Sequence, residues 1–191
     1  MPMAEPMIAF HGSPVRFDRF DPAKIGSQWR NHGASGRGIY LTDSRDVATG
    51  YAVPGWRGGA AVRAQDDTGF VYEVEAPAAA YIDCDTLCDE QPEPAKSIFR
   101  NAVSVLHGPM ARWWLHVLAD APNSRYYYSQ VGKLLCFARK NGSPLEPVLA
   151  EAGYVGSKKR VEVWNGACEF CVFQTDRLRI LSAQPHQRIA A

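Results

Sequence analysis

An imidazole, a phenol and a carboxylate stand far apart in this chain, each inside a short apolar run. They are His11 in Phe10-His11-Gly12-Ser13, Tyr40 in Gly38-Ile39-Tyr40-Leu41-Thr42, and Glu169 in Cys168-Glu169-Phe170-Cys171-Val172-Phe173. Such a set can exchange hydrogen bonds and carry charge, but only strands laid side by side would bring it to one place. Glu169 is the most demanding member. Strand alternation puts Glu169, Cys171 and Phe173 on one face and Cys168, Phe170 and Val172 on the other. A carboxylate in that apolar company is costly unless a hydroxyl or a cation meets it. Each residue also has an ordinary reading: an edge-strand glutamate in water, a turn histidine satisfied by backbone, a core tyrosine with its hydroxyl at the rim.

The elements that would position these groups follow from local pattern. A first strand over residues 7–11 should stop at Gly12 and Pro14, with Phe17 and Phe20 anchoring a turn beyond it. Residues 26–38 are rich in Gly, Ser, Asn and Arg without periodicity and read as a long exposed loop. A strand over 39–41 leads through Thr42-Asp43-Ser44 into a helix over 45–52 that carries Tyr51. A second Gly-rich stretch spans 53–68. Residues 70–75 then alternate as a half-buried strand does, and 81–83 form another.

Helical patterns follow over 97–106, 111–121 and 126–140. Ser143-Pro144-Leu145-Glu146 has the form of a capping box with proline at the first helical position, predicting a helix over 144–152. The last third returns to strands over 161–164, 169–174 and 178–181, with Asn165-Gly166 as a hairpin turn. Residues 182–191 read as a flexible tail. The whole is expected to be one loop-rich α+β domain over 1–191, with residues 94–142 as a helical insertion.

Composition narrows the partners. With 21 Lys and Arg against 20 Asp and Glu, the formal net charge is +1, which demands neither a nucleic acid nor an anionic membrane. No apolar run approaches the roughly 20 residues of a membrane span, and the N-terminus lacks the pattern of a secretory signal, so a cytoplasmic location is the expectation. Five cysteines suit reduced thiols better than a disulfide framework. Cys84, Cys88, Cys168 and Cys171 could be drawn as a zinc site, but the first pair has the wrong spacing, and no metal is expected.

Taken as a set, these motifs resemble the ADP-ribosyltransferase superfamily in its histidine-tyrosine-glutamate branch. That branch includes the poly(ADP-ribose) polymerases, the diphtheria-type toxins and transferase domains of phage and mobile-element polyvalent proteins. Phe10-His11-Gly12-Ser13-Pro14 is similar to the opening strand of the phage-type domains. Gly38-Ile39-Tyr40-Leu41-Thr42-Asp43, with Ala48 and Tyr51 after it, is similar to the second motif of the polymerases. Glu169-Phe170-Cys171-Val172-Phe173 and Leu178-Arg179-Ile180-Leu181 resemble the glutamate strand and its partner. Residues 76–142 stand outside the resemblance.

The resemblance implies a split β-sandwich of two small sheets with NAD bound between them. Gly12 would meet the nicotinamide carboxamide through its backbone, with Ser13 beside it. His11 would bond the adenine-side ribose, and Tyr40 and Tyr51 would flank the nicotinamide ring. Glu169 would hold the nicotinamide-ribose 2'-hydroxyl and stabilise positive charge as the glycosidic bond breaks. Arg37 or Arg30 would face the pyrophosphate.

Ala48 stands where the polymerases carry a hydroxyl. Ala167 stands where arginine-modifying toxins carry a second carboxylate, which argues against an arginine acceptor. The implied activity is transfer of a single ADP-ribose from NAD to a macromolecule, first of all a host protein, as in a phage or bacterial effector. A nucleic-acid acceptor, an NAD glycohydrolase and a catalytically silent binding or inhibitor protein on the same fold remain alternatives.

Overall fold

A computed structural model describes residues 5–25, 35–52, 68–105 and 129–187. In chain order the elements are β1 (Met7–Ser13), β2 (Ile39–Thr42), α1 (Arg45–Ala52), β3 (Thr68–Ala76), β4 (Tyr81–Asp83), α2 (Ala95–Ser104), α3 (Gln130–Lys140), α4 (Glu146–Glu151), β5 (Gly156–Val161), β6 (Ala167–Val172) and β7 (Arg179–Gln187). The seven strands form one mixed sheet in the order β4-β5-β6-β2-β1-β3-β7. Only β4 and β5 run parallel; every other neighbouring pair is antiparallel. The architecture is therefore α+β, with four α-helices among the described residues.

The join between β1 and β2 is narrow. β1 pairs with β3 along its whole length, from Met7 opposite Ala76 to Ser13 opposite Phe70. It meets β2 at one register position, Phe10 opposite Thr42. Alternation from that position assigns each side chain to a face. Phe10, Gly12, Tyr40, Thr42, Glu169 and Cys171 share one face; His11, Leu41, Tyr72 and Phe170 share the other.

Each face has its own core. On the first, α1 packs over Phe10 and Val71, while α2, α3 and α4 bury Ile82, Phe99, Leu134, Leu135 and Leu149. On the second, Tyr72, Leu41, Val74 and Phe170 pack with Phe17 and Phe20. Helix α1 sits unusually close. A Cβ on Gly12 would lie 1.8 Å from the Ala48 carbonyl oxygen, and one on Gly69 would lie 1.7 Å from that of Ala52. Two facing glycines let the helix rest directly on the strands.

Several elements differ from expectation for identifiable reasons. β1 continues past His11 because Gly12 and Ser13 find ladder partners in Val71 and Phe70. Residues 161–164 do not form the expected strand: β5 comes earlier, and Glu162–Trp164 is a single 3-10 turn. The polar run Gly156–Val161 becomes a strand because β4 and β6 offer it backbone partners on both sides. The tail is not wholly loose, since β7 runs to Gln187 along β3. Ser35, Gly36 and Gly38 are buried, which overturns the exposed loop for that end of residues 26–38. Helix α4 starts at Glu146 rather than Pro144, without a capping bond from Leu145. The expected helix over 111–121, residues 26–34 and residues 53–67 lie outside the described residues.

Candidate functional site

The pairing of β2 with β6 places Tyr40 opposite Cys171 and Thr42 opposite Glu169. Tyr40 and Glu169 are thus near neighbours on the helix-covered face. They converge on Ser35, a fully buried residue just before β2. Its hydroxyl donates to Glu169 Oε1 at 2.8 Å, and its backbone N–H donates to the Tyr40 hydroxyl at 3.1 Å. The Tyr40 hydroxyl in turn donates to the Gly36 carbonyl at 2.8 Å. The Ser157 hydroxyl, from β5, donates to the Ser35 carbonyl. A tight turn at Ser35–Gly36 is thereby clamped by side chains of β2, β5 and β6. Gly36 has a φ of +119°, and a Cβ there would lie 2.9 Å from the Phe173 ring, so both conformation and space call for glycine.

Burial dominates the electrostatics. It raises the Glu169 carboxyl above its ordinary range, against the opposing pull of the Ser35 hydrogen bond and the Lys159 charge. Tyr40 is pushed well above the usual phenol range, first by burial and then by the negative charges that Cys171 and Glu169 would carry. A neutral phenol beside a carboxylate that ionises reluctantly can orient a hydroxyl-bearing ligand and answer a developing positive charge.

His11 sits elsewhere. Its ring lies on the opposite face among Phe17, Phe20 and Tyr72, with centroid distances of 5.8, 5.4 and 6.0 Å. Nδ1 donates to the Tyr40 backbone carbonyl at 2.8 Å. Because a carbonyl can only accept, Nδ1 carries the hydrogen and Nε2 holds the lone pair of the neutral ring. Burial lowers the imidazole, and the bond to Tyr40 partly offsets that shift. His11 therefore spans the narrow β1–β2 join, replacing a ladder hydrogen bond with a side chain. It reaches Tyr40 through the backbone, not through the phenol.

The other expected residues are dispersed around this centre. Gly12 receives α1 against its backbone. Ser13 is buried, and its hydroxyl accepts the Val15 N–H at 3.1 Å. Arg37 is exposed, while its backbone N–H donates to Glu146 Oε1 at 2.8 Å. Arg30 lies outside the described residues. Tyr51 is 38 % exposed and meets Trp164 edge-on at 5.7 Å. Both rings line a cleft of about 480 Å³ with Ser44, Asp46, Asn165 and Ala167. The buried Trp164 Nε1 finds no hydrogen-bond partner among the described residues. Neither Tyr40 nor Glu169 lines this cleft.

Sequence reasoning missed Ser35, Ser157, Glu146 and Trp164. Ser35 was hidden in an aperiodic stretch, and Glu146 looked like a capping residue. The thiols do not converge on an ion: among the described residues no group of three or more His, Cys, Asp or Glu side chains could hold a metal. No helix among them is long and apolar enough to cross a membrane. Comparison with protein-family models, with curated proteins and with solved structures finds no match to this chain.

Proposed function

We propose that this protein transfers a single ADP-ribose from NAD to a macromolecular acceptor, releasing nicotinamide. One observation carries the reading: Tyr40 and Glu169, remote in sequence, meet on one face of the sheet through Ser35. The motif resemblance calls on His11 as well, whose ring lies on the opposite face, so the support comes from the phenol and the carboxylate. The narrow β1–β2 join would be the divide of a split sandwich, with the dinucleotide lying along it.

Glu169 would accept a hydrogen bond from the hydroxyl of the ribose whose glycosidic bond breaks, with the Ser35 hydroxyl remaining on Oε1. The C1'–N bond would break with its electron pair going to the departing nicotinamide, and a fixed carboxylate would favour the cationic ribose that results. Tyr40 would hold the ring of the leaving group, with Tyr51 approaching from the cleft wall. Arg37, exposed at the turn, would face the pyrophosphate. His11 would serve from the join by fixing the backbone of Tyr40. The acceptor's nucleophile closes on C1', forming the new bond, and releases its proton to solvent. A host protein is the favoured acceptor, given a net charge of +1 that offers no broad phosphate-tracking surface.

The test is incubation with labelled NAD in host lysate, comparing wild type with Glu169→Gln and Glu169→Ala. Loss of labelled protein by about 10²–10³ in both variants would support the reading. Free ADP-ribose without labelled protein would turn it to a glycohydrolase. NAD left intact by wild type would exclude both.

A further inference from the structure

Glu146 is a charge in an expensive place. It opens α4 and is only 6 % exposed. Oε1 accepts from the Arg37 backbone N–H at 2.8 Å and from the Arg139 guanidinium at 3.4 Å. Oε2 is buried and has no hydrogen-bond partner among the described residues. A glutamate three residues after Ser143 would ordinarily turn back and cap its own helix. This one leaves that role and reaches out of the helical layer to the segment leading into β2. A buried, incompletely satisfied carboxylate costs stability, so what it fixes in place is the informative question.

What it fixes is a turn two residues from Ser35. The Ser157 hydroxyl holds the Ser35 carbonyl, and the Tyr40 hydroxyl spans Ser35 N–H and the Gly36 carbonyl. Both of these belong to the sheet. Glu146 adds a third point, at Arg37 N–H, from the helices. With Gly36 between them at positive φ, the turn has enough freedom to need that third point.

We infer that Glu146 is a positioning residue: by holding the Arg37 amide it keeps the Ser35 hydroxyl on Glu169. Its effect on turnover rests on the proposed transfer reaction; its effect on the Glu169 carboxyl does not.

The sign of one measurement separates this role from a simple charge effect. The groups acting on Glu169 are the Ser35 hydroxyl and Lys159, both of which hold its ionisation midpoint down against burial. Tyr40 and Cys171 share its face. Removing the Glu146 charge acts through space to lower the Glu169 midpoint, whereas releasing Ser35 raises it.

The experiment follows the Glu169 carboxyl by carbon-13 NMR in the full chain. It compares wild type, Ser35→Ala, Glu146→Ala, Glu146→Gln and the Ser35→Ala/Glu146→Ala double variant. The expected result is an upward shift in Glu146→Ala, matching the direction of Ser35→Ala, with no further rise in the double variant. Glu146→Gln, which keeps an oxygen acceptor for Arg37, should not rise. A fall or no change in folded Glu146→Ala would overturn the inference.

If that variant does not fold, hydrogen exchange at the Arg37 amide decides between wild type and Glu146→Gln. Protection in both is expected, and a freely exchanging amide in wild type would overturn the inference. In parallel, kcat with labelled NAD should drop roughly tenfold in Glu146→Ala while KM changes less, and Glu146→Gln should restore it. If wild type leaves NAD untouched while the carboxyl shifts as expected, the transfer reading fails and the positioning role stands.

Discussion

At Glu169 the proposed chemistry and a structural cost meet in one side chain. Burial raises its carboxyl above the ordinary carboxylate range, so the folded protein favours the protonated form relative to the unfolded chain. The sign follows: this group favours folding fully below pH 4.5 and loses that contribution as pH rises through the folded midpoint. Glu169→Gln should therefore unfold at higher denaturant than wild type at pH 7, with the gap closing toward the ordinary carboxylate range. Urea titrations at several pH values would measure it, and equal midpoints at neutral pH would refute the burial argument. The proposed transfer should show the opposite slope, rising with pH as Glu169 ionises. His11 runs the other way. Its lowered imidazole means that stability contributed near neutrality is lost as pH falls below about 6.5, the value expected in the unfolded chain.

Among the elements, α1 shows how closely this fold is fitted. Gly12 was read as leaving room for a ligand, yet the atom that fills its Cβ position is the Ala48 carbonyl oxygen. Gly12→Ala should then destabilise the fold by about 1–3 kcal/mol or more through overpacking, in the absence of any ligand. Denaturant unfolding of the variant checks it; unchanged stability would return Gly12 to a purely ligand-facing role. The same contrast marks what the sequence disclosed. Alternation correctly placed Glu169 with Cys171, because a strand's period is fixed by covalent geometry. The helix over 45–52 was legible from its hydroxyl and carboxylate start. β5 was not, because Ser157-Lys158-Lys159-Arg160 has no apolar pattern and becomes a strand through its neighbours. Nor was the role of Ser35, whose three partners come from residues that local pattern cannot associate with it. The convergence of His11 with the other two went further than local pattern could carry it. One register position between β1 and β2 decides the face of every side chain on both sides of it.

For the molecule as a whole, that single position is where the sheet is thinnest. β4, β5, β6 and β2 are fully laddered to one another, as are β1, β3 and β7, while the two sets meet at Phe10 and Thr42 and through His11. Sub-global opening should begin there. Native-state hydrogen exchange is expected to show the Phe10–Thr42 crossing opening at lower denaturant than the β1–β3 ladder, and simultaneous opening would show that the sheet behaves as one unit. The sulfur atoms offer a second, simpler gauge. Cys84, Cys88 and Cys171 are buried, whereas Cys136 and Cys168 are partly accessible, and all are free thiols. Burial pushes Cys84 and Cys88 up to about 12, so neither presents a reactive thiolate near neutrality. A maleimide dye should therefore label the native protein in two stages, the partly accessible pair promptly and the interior three only as the chain opens. Because Cys171 neighbours Glu169 on the same strand, its late labelling would act as a clock for the lifetime of the intact Tyr40–Glu169 face.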